Sequence, residues 1–368
     1  MVEKFDTDVF VIGGGPAGLA AAIAARRKGF RVAVADGMKP PVDKACGEGL
    51  MPDALEAARF LGISIPPVHG AHFRGIRFLG DAVSAAADFP VGAGWGIRRT
   101  ALHRILIEEA RASGVELHWE TPVTGLDGHF IRLSGDTVRA RWIVGADGGQ
   151  SRVRKWIGLD SGARESLRFG FRGHYRIAPW TDYVEVYWGG NSQIYVTPVG
   201  EEEVCVALIS RDSQRRLDQV LGEFPALQTR LSHAVVSSNG RGAPSASRRL
   251  RRVYRGFVAL LGDASGSVDA VTGEGICLAF QQASAWAEAV AQEDLSKYQA
   301  AHREILQRPR LMSALLLSLD RWPALRRRVL HAFAAKPELF SRMLATHVGA
   351  ARLTDIATAS LALGVELL

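Results

Sequence analysis

The chain contains 368 residues, of which 47% are hydrophobic and 23% charged, so a disordered or fibrous protein is excluded. At about 150 residues per domain, this length predicts two or three domains with a sizeable core. The 3 cysteines are widely spaced and odd in number, which excludes a disulfide framework and a CxxC metal site, so we expect no metal. The formal net charge is +7, but the arginines occur in short groups without interleaved aromatic residues, so no nucleic-acid partner is expected.

The N-terminal residues bear on cellular location. Residues 1–8 include three acids, which is atypical of a secretory signal peptide. The apolar stretch that follows is interrupted by glycines and a proline, so the sequence does not predict a membrane span there. We therefore expect a cytoplasmic protein and leave open whether it also associates with a membrane surface.

The first motif has the pattern of a strand, a glycine-rich turn, a helix and a second strand. Residues 8–12 predict a buried parallel strand, residues 19–28 a helix and residues 31–35 the second strand. The intervening GGGPAG at 13–18 suits a turn whose backbone approaches a pyrophosphate closely. Asp36 ends the second strand, where an acid would accept hydrogen bonds from ribose hydroxyls. The unit predicts dinucleotide binding, and the alternative is a tight turn without a ligand.

The later elements follow in an order that alternates between two kinds of sheet. They are short strands within 73–88, a helix at 99–112, strands at 115–119, 131–133 and 142–146, alternating strands at 183–188, 193–198 and 203–209, a buried strand at 257–261, a helix at 273–292, and helices beyond 300. The predicted fold class is α/β: a Rossmann-like nucleotide-binding domain with a parallel sheet, a second antiparallel-sheet substrate domain, and C-terminal helices. We assign 1–70, 95–164 and 254–300 to the first domain, 71–94 and 165–253 to the second, and 301–368 to the helical segment.

Three separated motifs resemble those of the FAD-dependent oxidoreductases with the para-hydroxybenzoate hydroxylase fold. They are the loop 13–18, GADG at 145–148 followed by Ser151, Val153 and Arg154, and GDA at 262–264. Within that fold, KACGEGL at 44–50 and TGEGI at 272–276 make the chain most similar to the geranylgeranyl reductase family, over roughly residues 5 to 290. A proline expected near position 270 is replaced by Ala270, so the shape of the pocket roof is left open.

The resemblance implies FAD as a tightly but non-covalently bound cofactor. Its motifs place these residues at the cofactor: Gly13, Gly15, Ala17, Gly18, Asp36, Cys46, Gly47, Gly49, Arg99, Val123, Asp147, Gly262, Asp263, Gly273, Gly275 and Ile276. The alternatives are a helix N-cap for Asp263 and a solvated surface position for Arg99. The sequence has no second GxGxxG followed by an acid, so the electron donor would bind transiently. NAD(P)H is the expected donor, with ferredoxin or free reduced flavin left open.

Two side chains are candidates for catalysis. Cys46 is interpreted as a wall against the flavin, with a buried packing residue and a reactive nucleophile as alternatives. His174 could donate a proton near the substrate, although a lone histidine on a strand is more often structural. Glu274 would repel an anionic reduced flavin, so we expect its side chain to turn away and cap or pair elsewhere.

The substrate side carries apolar patterns. Alternation predicts that Tyr183, Glu185 and Tyr187 lie opposite Val184, Val186 and Trp188, and that one of these faces, with Tyr195 on the next strand, covers the flavin. Core packing alone would also explain these aromatic residues.

The C-terminal segment has leucines at four-residue spacing. Leu311, Leu315 and Leu319, next to the arginines at 326–328, predict either a helical cap on the core or a basic, apolar face that rests on a membrane.

These features favour reduction of carbon–carbon double bonds in a polyprenyl-type substrate. The alternative is a monooxygenase that hydroxylates an aromatic or polyketide-like molecule. The sequence identifies neither the proton donor nor the oligomeric state.

Overall fold

A computed structural model describes residues 5–80, 83–160 and 164–351. Its helices are α1 (Pro16–Arg27), α2 (Pro52–Phe60), α3 (Arg99–Ala112), α4 (Arg152–Trp156), α5 (Leu217–Leu221), α6 (Pro225–Leu231), α7 (Gly275–Ala291), α8 (Leu295–Ile305), α9 (Gln307–Arg321), α10 (Pro323–Ala335) and α11 (Pro337–His347). Its strands are β1 (Thr7–Ile12), β2 (Val32–Asp36), β3 (Gly49–Leu50), β4 (Ala71–Phe73), β5 (Gly75–Leu79), β6 (Ser84–Asp88), β7 (Gly94–Gly96), β8 (Glu116–Trp119), β9 (Gly125–Asp127), β10 (Phe130–Arg132), β11 (Thr137–Gly145), β12 (Arg164–Arg176), β13 (Tyr183–Trp188), β14 (Ser192–Gly200), β15 (Glu203–Ser210), β16 (Val235–Val236), β17 (Arg241–Arg248), β18 (Tyr254–Arg255) and β19 (Val258–Leu260).

The first sheet is built around parallel strands. Its order is β18, β19, β11, β1, β2, β8, and β10 joins β11 with β9 beyond it. β1 runs parallel to β11 and β2, and β19 and β8 extend the parallel part on either side. The strands are apolar and buried because helices cover them, and the alanine-rich α1 lies close to β1 and α7. This confirms the predicted Rossmann-like unit, and it brings the carboxyl ends of the parallel strands to one edge.

The second sheet supplies the opposite wall of the site. Its order is β16, β12, β15, β14, β13, β5, β6, and β17 also pairs with β12. β13, β14 and β15 form the predicted antiparallel meander. β5 pairs with β13 in parallel, so the sheet is not wholly antiparallel, because the chain leaves β6 for the first sheet before it returns at β12.

The C-terminal helices pack on the second sheet and on the segment before α7. α10 and α11 contact β6, and α9 contacts residues 270–272. Leu316 and Leu319 are buried in a core with Phe340, as the helical-cap interpretation requires, whereas Leu315 is half-buried and Leu311 is 38% exposed.

Two further findings concern the ends and boundaries of this architecture. The last part of the predicted helical segment, 352–368, lies outside the described residues. No helix in the described ranges is both long and apolar enough to cross a bilayer. The domain boundaries stay predictions.

Candidate functional site

A cavity of about 890 Å³ lies at the carboxyl ends of the parallel strands. It is lined by residues that directly follow β1, β2, β11 and β19, the edge where ligands bind in open α/β sheets. Of the predicted cofactor-binding residues, Gly18 is the one that does not line this cavity. Their contacts to a cofactor stay predictions.

The glycines of the loop before α1 have two different tasks. Gly13 has φ +109°, and a Cβ there would lie 2.5 Å from the Ala146 carbonyl oxygen. A Cβ at Gly18 would overlap the Gly13 carbonyl, so both positions need glycine for packing. At Gly15 a Cβ would meet no protein atom within 4 Å, because this residue faces the cavity. The loop therefore leaves room for a group that approaches the backbone and the N-terminus of α1.

Asp36 holds the loop and the following turn together. Its Oδ2 accepts a hydrogen bond from the Gly14 N–H at 2.7 Å, and its Oδ1 accepts one from the Met38 N–H at 2.8 Å. Each carboxylate oxygen retains a further lone pair, and the residue lines the cavity. A ribose hydroxyl could still donate to it.

Arg99, Val123 and Asp147 lie around the same end of the cavity. Arg99 begins α3, and its buried Nε has no hydrogen-bond partner among the described residues. Such an orphaned cationic donor fits an anionic group such as a phosphate. Asp147 accepts hydrogen bonds from the Ser151 hydroxyl at 2.5 Å and the Arg152 N–H at 2.7 Å, so it orders the start of α4.

Another part of the cavity wall is formed by the segments before α7. Gly262 and Gly273 have positive φ angles of 58° and 70°. A Cβ at Gly273 or Gly275 would meet no protein atom within 4 Å, so the first N–H groups of α7 are open to the cavity. Asp263 forms an ion pair of 3.1 Å with Lys44, and both residues line the cavity.

Cys46 lines the cavity in front of a buried polar network. Its Sγ accepts a hydrogen bond from the Glu48 N–H at 3.4 Å, and burial raises the pKa of the thiol. A thiol that stays protonated is a poor nucleophile, so the wall interpretation is favoured over the nucleophile. Glu48 adopts φ +59°, and its Oε1 accepts a hydrogen bond from the Arg99 N–H at 2.8 Å.

His174 lies behind this loop and does not line the cavity. Its Nε2 is 2.6 Å from Glu48 Oε2, its Nδ1 is 2.6 Å from the Ser238 hydroxyl, and its exposed fraction is 0%. Proton donation straight to a substrate is therefore not supported, because Glu48 stands between His174 and the cavity. The structural alternative fits: His174 supports Glu48, which the sequence analysis did not single out.

A second buried cluster surrounds Glu274 at the N-terminus of α7. The Glu274 carboxylate lies 3.8 Å from Arg308 on α9 and 3.9 Å from His347 on α11, and neither of its oxygens has a hydrogen-bond partner among the described residues. Burial raises the pKa of Glu274 to about 8 and lowers that of His347 to about 4. Arg308 also pairs with Asp53 at 3.1 Å. The Glu274 side chain lies next to Arg308 and forms no cap. Because Glu274 also lines the cavity, the orientation of its carboxyl relative to a bound flavin stays a prediction.

The cavity continues from the nucleotide motifs into an apolar chamber. The chamber is lined from the sheets by Phe73, Phe78, Val184, Val186 and Trp188, and from the C-terminal helices by Met312, Leu316, Phe340 and Leu344. Tyr195 adds a hydroxyl 2.8 Å from Gln193 Oε1 and 3.1 Å from the Val271 carbonyl oxygen. The predicted alternation along β13 is confirmed. Val184, Val186 and Trp188 line the chamber, whereas Glu185 lies on the other face of the strand and is bonded to Arg77 and Tyr187. The role of α9 and α11 in this wall was not foreseen.

These features fit a flavin nucleotide. The cradle at Gly15, the orphaned Arg99 Nε and the open amides of α7 together suit a phosphate and an anionic ring system. The model of the family described as "FAD binding domain" matches residues 6–294, most of the chain. The chain belongs to this family.

Known proteins similar to the chain include reductases and a monooxygenase. The menaquinone reductase of Mycobacterium tuberculosis (strain H37Rv) is 26% identical over 317 residues, covering 79% of this chain and 78% of the relative. The digeranylgeranylglycerophospholipid reductase of Methanosarcina acetivorans is 27% identical over 296 residues, covering 73% and 71%. The aurachin C monooxygenase/isomerase of Stigmatella aurantiaca is 26% identical over 333 residues, covering 82% and 86%.

A solved structure has the same fold. The geranylgeranyl bacteriochlorophyll reductase-like protein of Thermoplasma acidophilum superposes with a TM-score of 0.79 at 21% identity, covering 98% of this chain and 97% of that one. The chain is thus a flavoprotein of the oxidoreductase and monooxygenase group, with geranylgeranyl reductase-like relatives.

Proposed function

We propose that this flavoprotein reduces carbon–carbon double bonds in a long, apolar, polyprenyl-type substrate. The observation that carries the proposal is the continuity of the cavity, which joins the nucleotide motifs to a chamber walled by Val186, Trp188, Met312 and Phe340. A hydrocarbon chain gains about 0.8 kcal/mol for each CH₂ that it buries in such a chamber. Two of the reductase relatives are named for menaquinone and for a digeranylgeranyl lipid, which supports a prenyl chain here.

The chain's own residues divide the work. The backbone around Gly15, with Arg99, would hold the pyrophosphate, and Asp36 and Asp263 would hold the ribose and ribityl hydroxyls. FAD, when bound, supplies two-electron chemistry as a hydride donor. The N–H groups that open α7 at Gly275 stabilise negative charge beside them.

The chamber controls access. Its apolar walls exclude water from the reacting bond, and the neutral thiol of Cys46 adds no charge to them. Burial raises the pKa of Glu274 to about 8, which favours the neutral carboxyl and weakens its repulsion of negative charge beside the N-terminus of α7. NAD(P)H is the proposed transient donor.

Anaerobic turnover tests this proposal. FAD-loaded protein is reduced with NADPH or dithionite and mixed with a long-chain polyprenyl alkene in the absence of oxygen. We expect the flavin to be reoxidised and the product to gain two hydrogen atoms for each double bond reduced. No anaerobic reaction, together with a product that gains oxygen from labelled dioxygen, would refute it.

A monooxygenase is the second candidate. Tyr195 lines the chamber and carries a hydroxyl that is bonded to the protein wall at the Val271 carbonyl oxygen, and such a polar group suits an aromatic or polyketide-like substrate with its own polar substituent. Ala270, next to the segment that Tyr195 contacts, leaves more space than the expected proline. The relative named aurachin C monooxygenase/isomerase supports this alternative. The labelled-dioxygen arm of the same experiment distinguishes the two functions.

A further inference from the structure

The outer side of α9 and the start of α10 form an exposed face that is both apolar and basic. Leu311, Leu315 and Trp322 follow one another at spacings of four and seven residues, so they lie along one side of α9 and its end. Leu311 is 38% and Trp322 53% exposed. We call this surface, with the neighbouring Arg321 and Arg327, the α9–α10 face.

The exposed charges that α9 and α10 contribute to this face have one sign. Between residues 305 and 337 the sequence contains a single acid, Asp320, and that side chain is buried against Arg168 and Arg211. Arg321, Arg327 and Arg328 are exposed. The nearest acids along the chain, Glu304 and Glu338, lie outside this stretch. A helix that serves only to cover the core does not need exposed apolar side chains next to charges of one sign. On such helices, exposed apolar side chains usually occur singly among charges of both signs.

Trp322 gives the face a further property. The Arg321 guanidinium lies 5.9 Å from its ring centroid, so the indole and the cation occupy the same part of the surface. Tryptophan and arginine together are typical of the boundary between lipid headgroups and acyl chains.

The same helix connects this face to the cavity. The inner side of α9 places Met312 and Leu316 in the wall of the apolar chamber, while Leu311, on the adjoining side of the helix, is 38% exposed and Leu315 is half-buried. A helix is about 10 Å across, so one layer of structure separates the chamber from the outer face.

We propose that the α9–α10 face binds the surface of a membrane that contains anionic lipids. The arginines contact the headgroups, and Leu311 and Trp322 enter the boundary of the acyl chains. The inference goes beyond the proposed reaction and holds for either candidate function, since both need a lipophilic molecule to reach the chamber. Charge complementarity selects the occupant: a face without exposed acids between 305 and 337 matches a uniformly negative surface.

Vesicle co-sedimentation of the FAD-loaded protein tests this inference. The probes are vesicles of phosphatidylglycerol mixed with phosphatidylcholine, and vesicles of phosphatidylcholine alone, at low and at physiological salt. We expect binding to the anionic vesicles that weakens as salt rises, and little binding to phosphatidylcholine.

Two variants and two matched controls locate the surface. Arg321→Glu/Arg327→Glu should weaken binding to anionic vesicles at least about tenfold, because each basic residue near such a surface attracts it. Trp322→Ser should weaken it severalfold. The controls change the same kinds of exposed residue elsewhere: Arg249→Glu/Arg251→Glu, and Phe60→Ser, whose parent side chain is 68% exposed. Both controls should bind as the wild type does.

Three outcomes would overturn the inference. The first is the absence of binding to anionic vesicles at low salt. The second is an equal loss of binding in the Arg249→Glu/Arg251→Glu control, which would show unspecific attraction by the net charge. The third is a concentration-dependent dimer that Trp322→Ser abolishes while vesicle binding persists. Arg321→Glu/Arg327→Glu changes only exposed side chains, so it tests the membrane-binding surface even if Trp322→Ser fails to fold.

Discussion

The contacts of Cys46 favour its role as a wall of the flavin site. It lines the cavity, its Sγ accepts a hydrogen bond from the Glu48 N–H, and burial keeps its pKa raised. Cys46→Ser replaces one atom, so FAD affinity should stay within about threefold of wild type because the backbone at Gly47 and Gly49 is unchanged. Turnover should fall by roughly tenfold, as the wall of a close-packed site changes polarity and size. Flavin fluorescence titration and steady-state rates measure the two effects.

Cys205→Ser is the matched control for this change. Cys205 is fully buried on β15 and does not line the cavity. Its Sγ donates a hydrogen bond to the Cys46 carbonyl oxygen at 3.7 Å. It should leave turnover close to wild type. Equal, small effects at both cysteines would show that Cys46 is only a structural thiol.

Glu274 makes stability depend on pH. Burial raises its pKa in the folded protein to about 8 from the ordinary value of 4.5, so between these values the unfolded chain ionises while the folded chain stays neutral. Ionisation of the unfolded state favours unfolding, so wild type loses stability as pH rises through this window. Glu274→Gln cannot ionise and should therefore gain a few degrees in Tm relative to wild type between pH 4.5 and pH 8.

Thermal denaturation of the FAD-free proteins across this pH range measures the difference. Glu338→Gln, at an exposed position in the first turn of α11, is the control and should show no such trend. A Tm difference between Glu274→Gln and wild type that does not grow with pH would mean that Glu274 is ionised in the folded protein.

At the scale of elements, the loop between β1 and α1 separates packing from ligand binding. Gly15→Ala adds a methyl group where no protein atom lies within 4 Å, at an ordinary φ of −73°. The FAD-free variant should melt as wild type does, yet its affinity for FAD should fall by at least about tenfold, because the methyl group occupies the approach to the backbone. Calorimetric titration with FAD measures this.

Gly18→Ala, in the first turn of α1, is the opposite case. Its Cβ would overlap the Gly13 carbonyl, so this variant should lose stability whether FAD is present or not. If Gly15→Ala destabilised the FAD-free protein as much as Gly18→Ala does, the open space at Gly15 would not be a ligand site.

The elements themselves were predictable to a large extent. Hydrophobic periodicity and glycine signals placed the helix 99–112 and the strand 183–188 within the bounds that the structure has. The three nucleotide motifs were also recognisable, because each is a local pattern at the end of a strand. The parallel pairing of β5 with β13 was not predictable, since no local signal reports which strand a returning chain will join.

The polar clusters behind the cavity could not be read from the sequence either. Glu48 and His174 are 126 residues apart and meet only because β12 passes behind the loop of Cys46. Glu274, Arg308 and His347 likewise come from three helices. The local sequence around each of these side chains gives no sign of its partners, because tertiary packing alone brings them together.

At the scale of the whole molecule, the proposed reaction requires two ligands to share the cavity. The nucleotide motifs of the first sheet form one end, and the second sheet with α9 and α11 forms the other, so a bound prenyl chain should alter the surroundings of the flavin. Neither sheet alone would enclose an apolar chain.

The most direct measurement is a titration of the FAD-loaded protein with a long-chain polyprenyl alcohol, followed by flavin absorption. We predict one FAD per chain, released on denaturation because it is non-covalent, and a saturable shift of the flavin bands as the apolar ligand displaces water beside it. The proposal that FAD and a prenyl chain share one cavity would be contradicted if the protein failed to bind FAD, or if equilibrium dialysis showed the polyprenyl alcohol bound while the flavin spectrum stayed unchanged.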